Sequence, residues 1–296
     1  MKPHERIEVA DELGECVLWD DIAGAVWWTD IEGRTLHRLD WETRALMHYP
    51  TPARLASFGF IDGRRELIAA FDNGFALYDP LHGTVDTLGR PEGLGKGQRM
   101  NDGRVDRQGR FWAGGMMEAE ESRSEACLYC VADARIETRV RGIGIANGLC
   151  WSPDGTVCYF ADSRQGTIWR FAFDPDTGAL SGRTEFARSA AGMCPDGAAV
   201  DSEGYVWSAQ WGGGCVIRYA PDGRVDSVLD IPVSQPTCVT FGGPGRDHLL
   251  VTTARCGRAA GETGAGDLFV YNVAVQGLKE SRFDIGTWPQ AAELEG

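Results

Sequence analysis

The stretch CVLWDDIAGAVWWTD, residues 16–30, reads as an apolar strand, a polar turn and a second apolar strand. The same pattern returns at residues 58–72, 102–115, 148–162, 197–210 and 238–254. Each copy is followed by a third strand-like run, such as ACLYCVA at 126–132, and then by a more polar fourth, such as TVDTLG at 84–89. Sets of four short strands, repeated roughly every 40 to 50 residues, are typical of a β-propeller. The repeat predicts an all-β, six-bladed propeller with four antiparallel strands per blade around a central channel.

The last blade has two candidates for an outer strand. SRFDI at 281–285 follows the third strand-like run of that blade, and we expect it to form the fourth strand. The early stretch ERIEVA at 5–10 could add a further strand there and close the ring. A β-sandwich or two separate β domains would also need many short strands, but neither predicts a sixfold register. No linker-like segment interrupts the repeat, so we expect one domain over residues 1–296.

Composition argues against several classes of partner. The formal net charge is -14, and no basic run is present, which disfavours binding to a nucleic-acid backbone. The first fifteen residues, MKPHERIEVADELGE, lack the apolar core of a signal peptide, and no apolar stretch is long enough to span a bilayer. We therefore expect a cytoplasmic protein with no nucleic-acid, membrane or obligate protein partner.

The nine cysteines are scattered and mostly lie in apolar segments. Without an export signal they are expected to be reduced residues of the core. Cys127 and Cys130 have the spacing of a metal or redox pair, but strand alternation places their side chains on opposite faces. The cysteines therefore predict no zinc or redox site.

Oxygen-bearing side chains recur at one position of each first strand. Four places before the last apolar residue of that strand stand Glu15, Ser57, Asn101, Asn147, Asp196 and Thr237. The first strand of a propeller blade is innermost, so these positions are expected to ring one mouth of the channel. Two carboxylates and two amides converging there would need protonation or a cation, and ligand oxygens favour a hard divalent ion. Simple turn formation is the alternative for Asn101, Asn147 and Asp196, and we expect a structural role for Ser57 and Thr237.

Five ordered stretches carry a resemblance to a known family. LGECVLWD, RMNDGRVDRQGRFWAGGM, ANGLCWSPDG, PDGAAVDSEGYVW, and FGG followed by TTAR resemble, over nearly the whole chain, the regucalcin/gluconolactonase family of six-bladed propellers. Members are typically metal-dependent lactonases acting on sugar lactones, and some are described as calcium-binding proteins. The resemblance implies one divalent metal ion, with calcium as the first choice and zinc, manganese, magnesium or iron(II) as alternatives.

The resemblance also implies roles for individual residues. Glu15, Asn147 and Asp196 match the metal ligands, and Arg99 and Asn101 match substrate contacts. An inter-blade salt bridge is the alternative role for Arg99.

The chain departs from the family pattern in two places. Cys16-Val17 stands where the family usually has Gly-Pro after the first ligand. The family's acidic substrate contact falls by ungapped counting on Ala119, which Glu118 and Glu120 flank. We take Glu118 as the substrate-binding residue, with Glu120 as the alternative.

The expected reaction is hydrolysis of an aldonolactone, such as gluconolactone or a pentonolactone, to the open aldonic acid. Ester hydrolysis passes through a tetrahedral oxyanion, which a divalent ion stabilises by polarising the carbonyl. Asp196 is the expected catalytic residue, which orients the attacking water or accepts its proton. The alternatives are a non-catalytic calcium-binding or scaffold propeller, and a related propeller esterase or phosphotriesterase.

Overall fold

The computed structural model describes residues 2–118, 124–257 and 261–286. Within these ranges the chain forms six antiparallel sheets of four strands each, which confirms the six-bladed propeller. The helix Ser163–Gln165 is a single 3-10 turn. Across the described ranges no helix is long and apolar enough to cross a membrane.

The first three blades follow one another along the chain, each running from the inner to the outer strand. Blade 1 consists of β2 (Gly14–Asp20), β3 (Ala25–Asp30), β4 (Thr35–Asp40) and β5 (Leu46–Pro50). Blade 2 consists of β6 (Leu55–Phe60), β7 (Leu67–Phe71), β8 (Gly74–Asp79) and β9 (Thr84–Gly89). Blade 3 consists of β10 (Gln98–Val105), β11 (Phe111–Met117), β12 (Ala126–Ala132) and β13 (Arg135–Ile143).

The other three blades repeat this order, except that the last takes its outer strand from the start of the chain. Blade 4 consists of β14 (Ala146–Trp151), β15 (Val157–Asp162), β16 (Thr167–Phe173) and β17 (Leu180–Arg188). Blade 5 consists of β18 (Cys194–Val200), β19 (Val206–Trp211), β20 (Cys215–Tyr219) and β21 (Val225–Asp230). Blade 6 consists of β22 (Pro236–Gly242), β23 (His248–Thr253), β24 (Leu268–Asn272) and β1 (Glu5–Ile7).

The outer strand of blade 6 closes the ring and corrects one sequence expectation. The N-terminal strand pairs antiparallel with β24, with Glu5 opposite Val270, so ERIEVA supplies the fourth strand. The prediction that SRFDI forms this strand was wrong. Phe283 instead donates its backbone N–H to the carbonyl of Phe60, at the far end of an inner strand of blade 2. Because β1 already occupies the edge of the sixth sheet, the 281–285 segment packs elsewhere.

The core lies between the blades. All six residues of the inner strand Leu55–Phe60 are buried, whereas most of the outer strand Thr84–Gly89 is exposed. Cys127 packs in a cluster with Tyr129, while Cys130 packs on the opposite face with Trp112, as alternation predicted. All nine cysteines are free thiols. The polar fourth strands form the outer edges expected from the sequence.

Each inner strand shifts its pairing with the second strand at the same place, near the start of the strand. The shifts fall between Glu15 and Leu18, Leu55 and Ser57, Met100 and Gly103, Asn147 and Cys150, Pro195 and Ala198, and Pro236 and Val239. A β-bulge interrupts the hydrogen-bond ladder and redirects the side chains at that point. Six bulges therefore surround one end of the channel, and they position the candidate site.

Candidate active site

A cavity of about 540 Å³ opens where the inner strands begin. Five residues selected from the sequence line it together: Glu15, Arg99, Asn101, Asn147 and Asp196. Leu13, Met116, Ile145 and Trp211 supply apolar wall, and Glu32, Ser163, Arg164, Cys194 and Cys256 complete the lining. Four of the six side chains expected at one mouth of the channel therefore line this cavity, together with Arg99 and several apolar residues.

Two buried carboxylates dominate the electrostatics of this cavity. Glu15 is 7% exposed and Asp196 is 5% exposed. Burial and the neighbouring carboxylate of Asp102 raise the pKa of Glu15 to about 8. Burial, followed by the charges of Glu15 and Asp102, raises the pKa of Asp196 well above its ordinary value. Carboxylates this close and this buried resist being ionised together unless a positive charge joins them.

A ladder of amide hydrogen bonds fixes the orientation of the neighbouring side chains. The Nη1 of Arg99 donates to Oδ1 of Asn101 at 2.7 Å, and Nδ2 of Asn101 donates to Oδ1 of Asn147 at 3.1 Å. The Nδ2 of Asn147 in turn donates to Oγ of Ser163 at 2.8 Å. The hydroxyl of Ser163 donates to the carbonyl of Pro195, next to Asp196, at 2.6 Å. The ladder fixes which atom of Asn147 is the oxygen, and that oxygen keeps a second lone pair.

The residues present fit a divalent ion. The Oδ1 atom of Asp196 is buried and has no hydrogen-bond partner among the described residues. An unpartnered buried oxygen of this kind costs roughly 1–3 kcal/mol, which a bound cation would offset. Glu15, Asn147 and Asp196 offer oxygen donors, the type that hard cations prefer. No cluster of three or more His, Cys, Asp or Glu side chains suited to a metal occurs in the described part of the chain, so the amide oxygen of Asn147 would have to complete this set.

Glu118 lies at the edge of the site. Its Oε1 atom is 3.9 Å from Nε of Arg99 and 2.6 Å from Nη1 of Arg54. The hydrogen bond from Arg54 lowers the pKa of Glu118, so this carboxylate is ionised at neutral pH. The alternative contact Glu120 lies outside the described residues, as does Ala119.

Ser57 and Thr237, the other two members of the ring, are fully buried and do not line the cavity. The hydroxyl of Thr237 donates to the carbonyl of Gly14 at 2.5 Å, which links blades 6 and 1. Their placement agrees with the structural role expected for them.

The backbone beside the first expected ligand is strained. Cys16 has φ 48°, in the left-handed region that glycine favours. Gly148, which follows Asn147, has φ 57° at the corresponding place, and a Cβ there would meet the carbonyl oxygen of Asp196 at 2.9 Å. Although Cys16 stands where the family usually has glycine, it keeps the left-handed backbone conformation that glycine favours. For a residue with a side chain, this conformation costs roughly 1–2 kcal/mol.

Sequence reasoning missed three features of the site. Asp102, one residue deeper in the inner strand than Asn101, accepts the backbone N–H of Leu149 at 3.1 Å and adds negative charge behind the cavity. The repeat register could have identified it, because it directly follows a ring position. Ser163 and Arg54 gave no sequence signal, since each also bonds a residue of another blade, Pro195 for Ser163 and Glu118 for Arg54.

Comparisons with known proteins agree with this architecture. The family profile described as the SMP-30/Gluconolactonase/LRE-like region matches residues 13–255. A 6-deoxy-6-sulfogluconolactonase of Pseudomonas putida is 35% identical over 92% of this chain and 94% of its own length. An L-arabinolactonase of Azospirillum brasilense is 35% identical over 93% of each chain. The crystal structure of a calcium-binding protein, regucalcin, from Agrobacterium tumefaciens str. C58 superposes with a TM-score of 0.90 at 30% identity, over 95% of this chain and 98% of the other.

Proposed function

The chain belongs to the SMP-30/gluconolactonase/LRE-like family, and from that premise we propose that it is a sugar lactonase that needs a divalent metal ion. The substrate class is an aldonolactone, and the product is the open aldonic acid. Relatives named for a gluconolactone derivative and for an arabinolactone support this substrate class.

One observation carries the proposal beyond family membership. Two buried carboxylates with raised pKa values share a cavity with a buried guanidinium, that of Arg99, and one carboxylate oxygen has no partner among the described residues. A fold needs no such arrangement for its stability, because an uncompensated buried charge is destabilising. Groups arranged at this cost are typical of a functional site.

Glu15, Asn147 and Asp196 would hold the ion. When bound there, a divalent ion supplies Lewis-acid polarisation of the lactone carbonyl and stabilises negative charge on its oxygen. Calcium fits the oxygen-only donors, and the regucalcin described as calcium-binding supports the same choice. Zinc, manganese, magnesium and iron(II) remain alternatives.

The chain's own groups divide the remaining work. Asp196 orients the attacking water or accepts its proton as the water oxygen bonds to the carbonyl carbon. The ring C–O bond then breaks, and the ring oxygen takes up a proton to become a hydroxyl group. Arg99 donates hydrogen bonds to sugar oxygens, and Glu118 accepts them from sugar hydroxyls. Asn101 also accepts, through the second lone pair of Oδ1, because both N–H groups of its Nδ2 already bond the carbonyl of Ala146 and Oδ1 of Asn147. Met116 and Trp211 give the sugar ring an apolar wall.

A non-catalytic calcium-binding propeller is the alternative function. It would use the same carboxylates but has no use for Arg99, whose burial lowers its pKa and which points its charge at the cavity rather than at solvent. The single-domain organisation and the cytoplasmic location stay predictions.

The direct test is acid release from a panel of sugar lactones. Chelated protein would be supplemented with one divalent metal at a time and assayed on glucono-, xylono-, arabinono- and galactonolactone, with Asp196→Ala as the control. We expect rapid hydrolysis that depends on the metal and is lost in the variant. Binding of a divalent ion without hydrolysis of any lactone would instead establish the calcium-binding alternative.

A further inference from the structure

Three carboxylates from three consecutive blades surround one arginine beside the cavity. Arg54 precedes the inner strand of blade 2. Its Nη1 atom lies 2.6 Å from Oε1 of Glu118 in blade 3 and 3.4 Å from Oε1 of Glu32 in blade 1. Its Nε atom lies 3.2 Å from Oδ2 of Asp72, in its own blade. Arg54 therefore joins blades 1, 2 and 3 at the side of the cavity where Arg99 lies.

The backbone of this region supports the same arrangement. The N–H of Asp72 donates to the carbonyl of Arg54 at 2.9 Å, and the carbonyl of Asp72 accepts the N–H of Met100 at 3.3 Å. The N–H of Glu118 donates to the carbonyl of Gly97 at 3.0 Å. The arginine side chain is 20% exposed, so it is held inside a formed network rather than extended into solvent. Networks of this kind hold geometry better than isolated surface pairs do.

The two arginines compete for one oxygen of Glu118. Oε1 makes its hydrogen bond with Arg54 and lies 3.9 Å from Nε of Arg99. In the described part of the chain, no hydrogen-bond donor reaches Oε2 of Glu118. Among the described residues, Arg99 is the other cation within ion-pair distance of Glu118. Without Arg54, a direct ion pair between Glu118 and Arg99 would occupy donors that face the cavity.

We propose that Arg54 is a positioning residue for substrate recognition. It holds Glu118 away from Arg99, so that Glu118 accepts a hydroxyl of the sugar lactone while Arg99 keeps its donors for sugar oxygens. This inference rests on the proposed lactonase function. It assigns Arg54 an effect on substrate affinity, exerted through Glu118, and no part in the chemical step.

The test is a double-mutant cycle on the full chain with the activating metal present. Arg54→Gln is expected to raise KM about tenfold while kcat stays within twofold, because a hydrogen bond to a charged group is lost from binding alone. Glu118→Gln should raise KM at least as much. The KM of the double variant should be no higher than that of Glu118→Gln alone, because Arg54 acts through the carboxylate of Glu118.

Two further variants separate positioning from folding. Arg54→Lys keeps the charge and should recover part of the lost affinity. Arg65→Gln removes another arginine of blade 2, whose Nε lies 2.8 Å from Asp79 outside the cavity, and should leave KM unchanged. A lactone that lacks one hydroxyl should lose less affinity in Arg54→Gln than the parent lactone does, which loss of folding would not produce.

Several results would overturn the assignment of Arg54. These are additive effects of the two single variants, a fall in kcat at unchanged KM, or an equal loss in Arg65→Gln. Wild-type protein that hydrolyses no lactone with any metal would overturn both this inference and the proposed function. Wild-type activity that Asp196→Ala abolishes and Arg54→Gln leaves intact would overturn only the role of Arg54.

Discussion

The two ends of the central channel are built from the same six inner strands but differ in whether their charged side chains are paired. At the open end, the carboxyl groups of Glu15 and Asp196 are buried and make no ion pair within the described ranges, and one oxygen of Asp196 has no hydrogen-bond partner there. At the other end, Nε and Nη2 of Arg104, whose side chain is 11% exposed, lie 3.0 and 2.9 Å from the two oxygens of Glu280.

A segment of the polypeptide also covers the opposite end of the channel. Residues 277–284 cross it, held by backbone bonds such as Asp284 N–H to Gly109 O at 2.8 Å and by the ion pair of Arg282 with Asp20. A cavity of only about 30 Å³ remains there. At the covered end, the charges are paired and stabilise the fold. At the open end, carboxyl groups without ion-pair partners lie beside a cavity, an arrangement that indicates binding and catalysis.

The largest effect is expected from Asp196→Asn at the open end. Lactonase kcat/KM should fall about a thousandfold, because a ligand oxygen and the group facing the water are lost together. The unfolding midpoint of the metal-free protein should not fall, because the substitution removes a carboxyl group whose ionised form burial disfavours. Steady-state kinetics and thermal unfolding of the same preparation measure both quantities. If Asp196→Asn lost activity only because it had unfolded, the open end would contribute to stability as the covered end does, and the contrast between the two ends would be wrong.

The opposite pattern is expected from Glu280→Ala at the covered end. Removing one partner of this largely buried ion pair leaves Arg104 without its carboxylate and should lower the free energy of unfolding by about 3 kcal/mol. Activity at 25 °C should stay within twofold of wild type. The matched control is Glu203→Gln, which weakens a rim contact of Arg218 and should cost less than about 0.5 kcal/mol. Denaturant unfolding measures both, and equal losses would show that the covered end is not specially stabilised.

The pH dependence of stability should also distinguish the open end. Between pH 4.5 and about 8, folded metal-free protein holds a proton on Glu15 that the unfolded chain has released. Stability from this group therefore falls as pH rises through that window, by at most about 1.4 kcal/mol per pH unit. A divalent ion at saturation should remove the fall, because it favours the ionised carboxylates. The measurement is the difference in unfolding free energy between wild type and Glu15→Gln from pH 5 to 8.5, and a difference independent of pH would contradict the raised pKa.

The smallest effect is expected at the strained position beside Glu15. Cys16→Gly relieves a left-handed φ but loses a buried side chain, so the free energy of unfolding should change by less than about 1 kcal/mol. Gly148→Ala, at the corresponding place in blade 4, should lower the free energy of unfolding by more than this, because the new Cβ would meet the backbone of Asp196. Equal effects of the two substitutions in denaturant unfolding would show that the two positions are not equivalent in the ring.

The repeat made the fold and the ring of polar residues predictable from the sequence. The alignment of six repeats identifies the innermost strand of each blade. Because the inner strands all begin at the same end of the channel, residues as far apart in sequence as Glu15 and Asp196 lie in one cavity. Alternation also placed Cys127 and Cys130 on opposite faces correctly.

Other features depend on contacts that no local pattern records. The bulges leave no trace in a two-residue period, because each merely adds a residue within a buried strand. SRFDI alternates like an outer strand, but the edge it would occupy goes to the N-terminal strand. Arg54 and Glu280 find their partners in distant parts of the chain, where only the closed ring brings them together.

The measurement that tests the central claim most directly is calorimetric titration of metal-stripped wild type, Asp196→Asn and Glu280→Ala with calcium, and in separate runs with manganese and zinc. Wild type and Glu280→Ala should bind at least one of these ions with one-to-one stoichiometry, and Asp196→Asn should lose that binding. Asp196→Asn that binds the ion as tightly as wild type, or wild type that binds none of the three, would contradict the claim that the buried carboxylates at the open end are a metal site.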